Sequence, residues 1–119
     1  MHATAIGKVL IAWLDDAELN PLLEGYQYTT FTPATITSRD DLLAALAQTR
    51  AQGYALDSEE NEQGVRCVSV PVWNHESRVI AALSLSTLTS RVDDNELTHF
   101  RLQLEEAGLQ LSRALGYPA

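Results

Sequence analysis

The fold is decided by one stretch of sequence, which runs VRCVSVPVW over residues 65–73, NHES over 74–77 and RVIAALSLST over 78–87. The first and third segments alternate in character and are rich in valine and other aliphatic residues, as is typical of β-strands. The four residues between them are turn formers. The stretch therefore predicts a β-hairpin.

A loop centred between His75 and Glu76 would fix which residues pair across this hairpin. One face is then formed entirely by aliphatic side chains and alanine, and we call it the aliphatic face. Its expected pairs are Val72 with Val79, Val70 with Ala81, and Val68 with Leu83.

The opposite face, which we call the small-residue face, carries Cys67 opposite Ser84, and Ser69 opposite Ala82. Ser86 shares this face because side chains alternate with period two. Such a face, once covered, leaves room for a small molecule that accepts hydrogen bonds. Equally, small residues let a helix pack closely, and a buried serine can bond to the backbone. The pattern alone leaves both interpretations open.

Two helices are predicted ahead of the hairpin. Apolar spacing indicates one helix over residues 3–14 and a second over 17–23, closed by Gly25. Residues 26–37 are rich in threonine and contain a proline, which favours an extended connector.

Ser38 is a suitable N-cap for a third helix, which would end at Gly53. A short strand is expected over 54–58, and a last helix over about 93–115. The resulting fold class is α+β, with a three-strand antiparallel meander flanked by helices. The inward stripe of the last helix is expected to be Leu97, Phe100, Leu104, Leu111 and Leu115.

The start of the first helix is a candidate seat for a carboxylate. Its first turn presents the unpaired backbone amides of Ala5 and Ile6 and the positive end of the helix dipole. Thr4 precedes this turn and Lys8 lies within the helix. Every helix has such an end, and most hold only water or a cap.

Composition narrows the class of protein. A chain of 119 residues favours one domain, and its net charge of −8 with scattered arginines argues against direct binding of nucleic acid. No apolar run is long enough to span a membrane, and no signal peptide is recognisable. The single cysteine, Cys67, excludes an internal disulfide, so we expect a cytoplasmic protein.

Catalysis, cofactors and metals are not expected. Cys67 and the three histidines His2, His75 and His99 lack the spacing of metal ligands. The acidic run 57–62 lacks the spacing of a calcium loop, so a solvated loop is predicted, although Asp57 at the strand end could turn inward. No neighbouring base activates Cys67, and no nucleotide-binding glycine loop is present.

Five segments then form a familiar series: HATAIGKVLIA (2–12), TIT (35–37), GYALDSEE (53–60), GVRCVSVPV (64–72) and AALSLS (81–86), followed by Arg91. In this order they resemble the effector-binding domain of the IclR family of bacterial transcription regulators. Within that family the sequence resembles the xylonate-responsive repressors. The series extends over nearly the whole chain.

The resemblance implies a GAF-like fold that binds small organic acids, such as glyoxylate, pyruvate, aromatic acids and sugar acids. It also implies a homo-oligomer, a dimer or tetramer, that contacts DNA only through a winged helix-turn-helix. Carried over by motif, the ligand-binding positions are the amides of Ala5 and Ile6, with Asp57, Cys67, Ser84 and Ser86.

Full chains of the family begin with the winged helix-turn-helix, a linker helix and the first part of the sensing domain. The present sequence opens after those parts, so residues 1–119 are expected to form a single partial effector-binding domain that lacks them. The leading hypothesis is a sensor of a sugar acid or a small 2-oxo or 2-hydroxy carboxylate. The alternatives are an oligomerisation module with an empty or vestigial pocket and, less favoured, an enzyme that uses Cys67.

Overall fold

The structure, a computed structural model, describes residues 2–118. It contains four helices and one antiparallel sheet with strand order β1-β2-β3, so the predicted α+β meander is confirmed. No helix in the described range is both long and apolar enough to cross a membrane. The elements are α1 Ala5–Ala12, α2 Asp16–Leu23, α3 Arg39–Gln52, β1 Ala55–Ser58, β2 Val65–Trp73, β3 Val79–Leu88 and α4 Asp94–Ala114.

Each helix begins after a side chain that accepts a hydrogen bond from a backbone amide three residues further on. This bond satisfies one of the amides that a helix start leaves unpaired. Ser38 is such a cap for α3, and Gly53 ends that helix in the left-handed conformation, both as predicted. α1 is two residues shorter at each end than predicted. The four caps are Thr4, Asp15, Ser38 and Asp93.

The hairpin loop is longer than predicted. The Asn74 amide donates to the Arg78 carbonyl at 2.9 Å, and the Asn74 side chain accepts from the amides of Glu76 and Arg78. Ser77 adopts a positive φ of 58°, which the tight reversal requires. The loop is therefore centred on Glu76 rather than between His75 and Glu76.

A β-bulge follows the loop, because Trp73 pairs with Val79 but Val72 pairs with Ala81, which leaves Ile80 as an extra residue in β3. The loop and the bulge together move the register two residues from the prediction, so the predicted partners were wrong. From Ala81 onward the displacement is even, so those residues lie on their predicted faces. Val79 is displaced by one residue and packs on the α1 side, so its assignment to the aliphatic face was wrong. The observed pairs include Val70 with Leu83, Val68 with Leu85, Cys67 with Ser86 and Ser69 with Ser84.

The sheet is covered differently on its two faces. α1 packs on the small-residue face, where Ala5 and Val9 form a buried cluster with Ala55. α4 packs on the aliphatic face, over the buried valines of β2. A second core joins α1, α2 and α3 through Ile11, Ala12, Leu19, Leu23, Leu42 and Leu46.

The predicted inward stripe of α4 is wrong in its second half. Leu111 and Leu115 are 41% and 42% exposed, whereas Gly108 and Ser112 are buried. The Ser112 hydroxyl accepts from the Trp73 amide at 2.9 Å and donates to the Gly108 carbonyl at 2.8 Å. Small residues bring this half of the helix close to the sheet, and the larger leucines turn away.

Gly108 is the tightest point of that contact, since a Cβ atom there would lie 2.8 Å from Val70 Cγ2. Gly108→Ala should therefore destabilise the fold by about 1–3 kcal/mol through overpacking, despite the better helix propensity of alanine. Urea denaturation measures the change. Gln110→Ala, on the exposed side of the same helix, should stay within about 0.5 kcal/mol of the parent protein. A Gly108→Ala protein that is more stable than the parent would contradict this packing.

Candidate functional site

The sheet aligns three of the predicted ligand-binding residues in one row. Asp57 of β1 pairs with Cys67 of β2, which pairs with Ser86 of β3. Neighbouring strands in a sheet lie about 4.8 Å apart, so the row spans two such steps. The Cys67 sulfur and the Ser86 hydroxyl are 3.2 Å apart. Ser84 lies on the same face, two residues along β3.

α1 lies against this face. Its first residue, Ala5, packs with Ala55, and Cys67 and Ala82 are partly buried against the same cluster. The amides of Ala5 and Ile6 have no hydrogen-bond partner among residues 2–118. The start of α1 thus lies over the small-residue face, which also carries Asp57, Ser84 and Ser86.

α1 covers the small-residue face only in part. Ser84 and Ser86 are exposed, whereas Asp57 and Ser69 are buried. The Ser69 hydroxyl donates to the Leu83 carbonyl at 2.9 Å, so that serine is satisfied by the backbone. Hydrogen-bonding capacity toward a small molecule therefore rests on Ser84 and Ser86 rather than on Ser69.

Asp57 is only 4% exposed, and burial raises the pKa of its carboxyl above the ordinary value of 3.8. Its Oδ1 accepts from the Glu60 amide at 2.8 Å. The inward turn foreseen for Asp57 is thus observed. The expectation of a solvated loop over 57–62 is wrong for Glu60, which is buried as well.

Lys8 explains why Glu60 is buried. Its Nζ lies 2.6 Å from Glu60 Oε1 and donates to the Leu56 carbonyl at 2.8 Å, with 5% of the lysine side chain exposed. Lys8 is therefore directed at β1 and its following loop rather than at the start of α1. An ammonium group this buried must be paired, because an isolated charge is too costly to desolvate.

The connector over residues 26–37 holds the same loop from the other side. The Thr32 hydroxyl donates to the Glu59 carbonyl, and the Thr35 hydroxyl donates to the Glu60 carbonyl. Sequence reasoning missed these contacts, since nothing local marks a threonine whose acceptor lies 25 or more residues away.

His2 was also missed. It is buried, with Nδ1 2.8 Å from the Tyr26 hydroxyl and Nε2 2.8 Å from the Thr29 carbonyl, and it ties the chain ahead of α1 to the connector. His75 and His99 are exposed. Within residues 2–118 no three His, Cys, Asp or Glu side chains are grouped to hold a metal ion.

Comparison with known proteins identifies the family. Residues 1–113 match the family described as "Bacterial transcriptional regulator IclR C-terminal". The whole chain is 84% identical to the HTH-type transcriptional regulator XynR of Escherichia coli K12 and covers 47% of it. It is 44% identical to KdgR of the same strain, over 98% of this chain and 44% of KdgR. The chain thus spans about half the length of these relatives.

Solved structures agree. The C-terminal domain of E. coli KdgR superposes with a TM-score of 0.91 at 45% identity, over 98% of this chain and 71% of that one. Thermotoga maritima IclR superposes with a TM-score of 0.90 at 34% identity, over 98% of this chain and 47% of that one. A third neighbour is the PobR inducer-binding domain from Acinetobacter, solved as a double mutant in complex with 3-hydroxybenzoic acid. It superposes with a TM-score of 0.86 at 37% identity, over 93% of this chain and 64% of that one.

These neighbours confirm the predicted GAF-like architecture. The relatives are regulators of transcription, so the prediction that the chain is not an enzyme is confirmed at the level of the family. The chain belongs to the IclR family of bacterial transcriptional regulators and corresponds to its C-terminal domain.

Proposed function

We propose that this chain senses a small carboxylate, either a sugar acid or a related 2-oxo or 2-hydroxy acid, on behalf of an IclR-type regulator. One observation carries the proposal. Asp57, Cys67 and Ser86 form a row on the face against which α1 packs, with Ser84 beside them.

The carboxylate of the effector would sit on the amides of Ala5 and Ile6. Both amides are unpaired within residues 2–118, and they lie at the positive end of the α1 dipole. Because Glu60 already neutralises Lys8, backbone amides rather than a free lysine would receive the anion.

The remaining groups would recognise the rest of the molecule. The hydroxyls of Ser84 and Ser86 can both donate and accept, which suits carbonyl and hydroxyl oxygens alike. An ionised Asp57 accepts only, so it favours hydroxyl groups, and it lies at the far end of the row. The small side chain of Ala82 leaves space, which favours a sugar acid over glyoxylate. The complex of PobR with 3-hydroxybenzoic acid, itself a small carboxylate, supports the ligand class.

We further infer that residues 1–119 form one partial effector-binding domain, completed by the first part of the sensing domain. β3 is an edge strand, and Ile80 and Leu88 on it are 52% and 49% exposed. Ile6 and Leu10 of α1 are exposed beside it. Apolar groups along a free strand edge favour a further covering segment.

DNA would be bound in the cytoplasm by a winged helix-turn-helix outside these residues, since this chain carries a net charge of −8. The effector would act by binding two arrangements of a homo-oligomer, a dimer or tetramer, with different affinity. An effector with equal affinity for both arrangements would shift nothing.

The exposed apolar residues also favour a second candidate, an oligomerisation module whose pocket is empty. It predicts self-association without saturable binding of any acid. A thermal-shift screen against xylonate, gluconate, pyruvate and glyoxylate separates the two functions.

At about 100 times its dissociation constant, a bound acid should stabilise the fold by about 2.7 kcal/mol. In the double variant Ser84→Ala with Ser86→Ala, that gain should largely disappear because both hydroxyl partners are lost. The control Ser90→Ala, an exposed serine beyond β3, should keep it. A folded parent protein that responds to none of the four acids would refute the sensor in favour of the oligomerisation module.

Asp57 provides a test by pH. Burial raises its folded-state pKa above 3.8, so folding takes up a proton between the ordinary and the raised value. Its contribution to stability is complete below about pH 3.8 and is lost as the pH rises through the raised pKa. Asp57→Asn keeps an oxygen acceptor for the Glu60 amide and lacks this ionisation.

The melting temperature of Asp57→Asn should therefore rise relative to that of the parent protein as the pH increases from about 3.8, and the difference should level off once the pH exceeds the raised pKa. Melting curves from pH 3 to 8 check this. A difference that is the same at every pH would show that ionisation of Asp57 carries no cost.

A further inference from the structure

Lys8 and Glu60 connect the two ends of the candidate site. Lys8 lies one turn after the amides of Ala5 and Ile6, and its Nζ donates to Glu60 Oε1 at 2.6 Å and to the Leu56 carbonyl at 2.8 Å. Both side chains are nearly excluded from solvent, with exposures of 5% for Lys8 and 12% for Glu60. The pair thus fixes the first half of α1 against the end of β1.

Glu60 carries the connection on to Asp57. The Glu60 amide donates to Asp57 Oδ1 at 2.8 Å, and Glu60 Oε2 accepts from the Ser58 amide at 3.2 Å. Thr35 donates to the Glu60 carbonyl. A continuous series of hydrogen bonds therefore runs from α1 through Lys8 and Glu60 to the Asp57 carboxyl.

We propose that Lys8 and Glu60 are a positioning pair for the effector. Neither side chain is needed to touch the bound acid. Together they set the separation between the amides of Ala5 and Ile6, which receive its carboxylate, and Asp57, which receives its hydroxyl groups. This inference rests on the proposed function, and it adds two residues on which selectivity for acids of a given length depends.

A charged pair suits this task better than an apolar contact. A buried ion pair is satisfied in one geometry only, whereas apolar side chains of similar volume tolerate small shifts. The Lys8 ammonium has two fixed acceptors, which restrict both the distance and the angle of α1. Binding of an acid across two segments weakens when their separation is no longer fixed.

Hydrogen exchange tests the pair without any added acid. Glu60→Gln keeps the size of the side chain and removes its charge. We expect at least a tenfold faster exchange of the Lys8, Glu59 and Glu60 amides, and a clearly smaller acceleration at Leu46 and Thr49 of α3. Asp94→Asn, which breaks the Arg66–Asp94 pair of equal length between β2 and the exposed start of α4, should change none of these rates.

Equal acceleration at α3 would overturn the proposal, because the pair would then contribute only to overall stability. No acceleration at Lys8 and Glu60 would also overturn it, because the pair would then not hold α1 against β1. Lys8→Arg retains the charge and should give rates between those of Glu60→Gln and the parent protein. If Glu60→Gln does not fold, Lys8→Arg is judged against the parent by the same criterion.

Binding is then measured by calorimetry, at a temperature where each variant is folded, with xylonate as the first probe and gluconate as the longer one. Glu60→Gln should weaken xylonate binding at least tenfold and alter the ratio of the two affinities, whereas Asp94→Asn should change neither. Unchanged affinities in a protein with accelerated exchange would refute the positioning role. If the parent binds none of the four acids of the thermal-shift screen, the proposed function fails, and the exchange rates still decide whether the pair joins α1 to Asp57.

Discussion

A lysine ammonium buried between a helix and a strand requires a partner of opposite charge. Here this requirement determines how α1, β1 and the loop after β1 are arranged. Removing one partner of such a pair typically costs about 3–5 kcal/mol, because the other charge stays desolvated. Glu60 reaches Lys8 only because the chain reverses directly after β1. Glu59 there adopts a positive φ of 59°, and its side chain accepts from the Gly64 amide at 2.8 Å. The position of α1 on the sheet and the path of the acidic loop are therefore set together.

The two faces of the sheet are packed differently, one tightly and the other incompletely. On the aliphatic face a glycine brings α4 into close contact with Val70. On the small-residue face α1 is short, and cysteine, serine and alanine leave part of the surface open. Because α4 packs tightly on the aliphatic face, the sheet can expose polar groups on the small-residue face without a change in its shape. This difference between the faces agrees with the proposed function, in which the domain holds a small molecule and remains folded without it.

The parts that sequence predicted well are those governed by local chemistry. Ser38 and Gly53 mark the ends of α3 because capping involves only neighbouring residues. The six candidate site residues could be proposed from alternation within β2 and β3 and from the resemblance of their motifs to a family, because neither requires the exact strand pairing.

The parts that failed depend on distant or three-dimensional information. Lys8 and Glu60 are 52 residues apart, and no local sequence pattern around either residue predicts that they pair. In α4, apolar periodicity favoured Leu111 and Leu115 as the buried positions. Close approach at Gly108 instead rotated the helix so that Ser112 faces the sheet. Small residues can outweigh large apolar ones when they permit tighter contact.

The extra residue Ile80 has a consequence for how this hairpin can evolve. The loop centred on Glu76, continued without a bulge, would pair Cys67 with Leu85 and Ser69 with Leu83, and would divide the polar groups between opposite sides of the sheet. The bulge restores parity and returns Ser84 and Ser86 to the side of Cys67. A single insertion or deletion at this distant turn, which touches no part of the site, would invert the chemistry of the surface that α1 covers. Lineages that change the length of the turn should therefore do so by two residues at a time, or gain or lose a bulge in the same step.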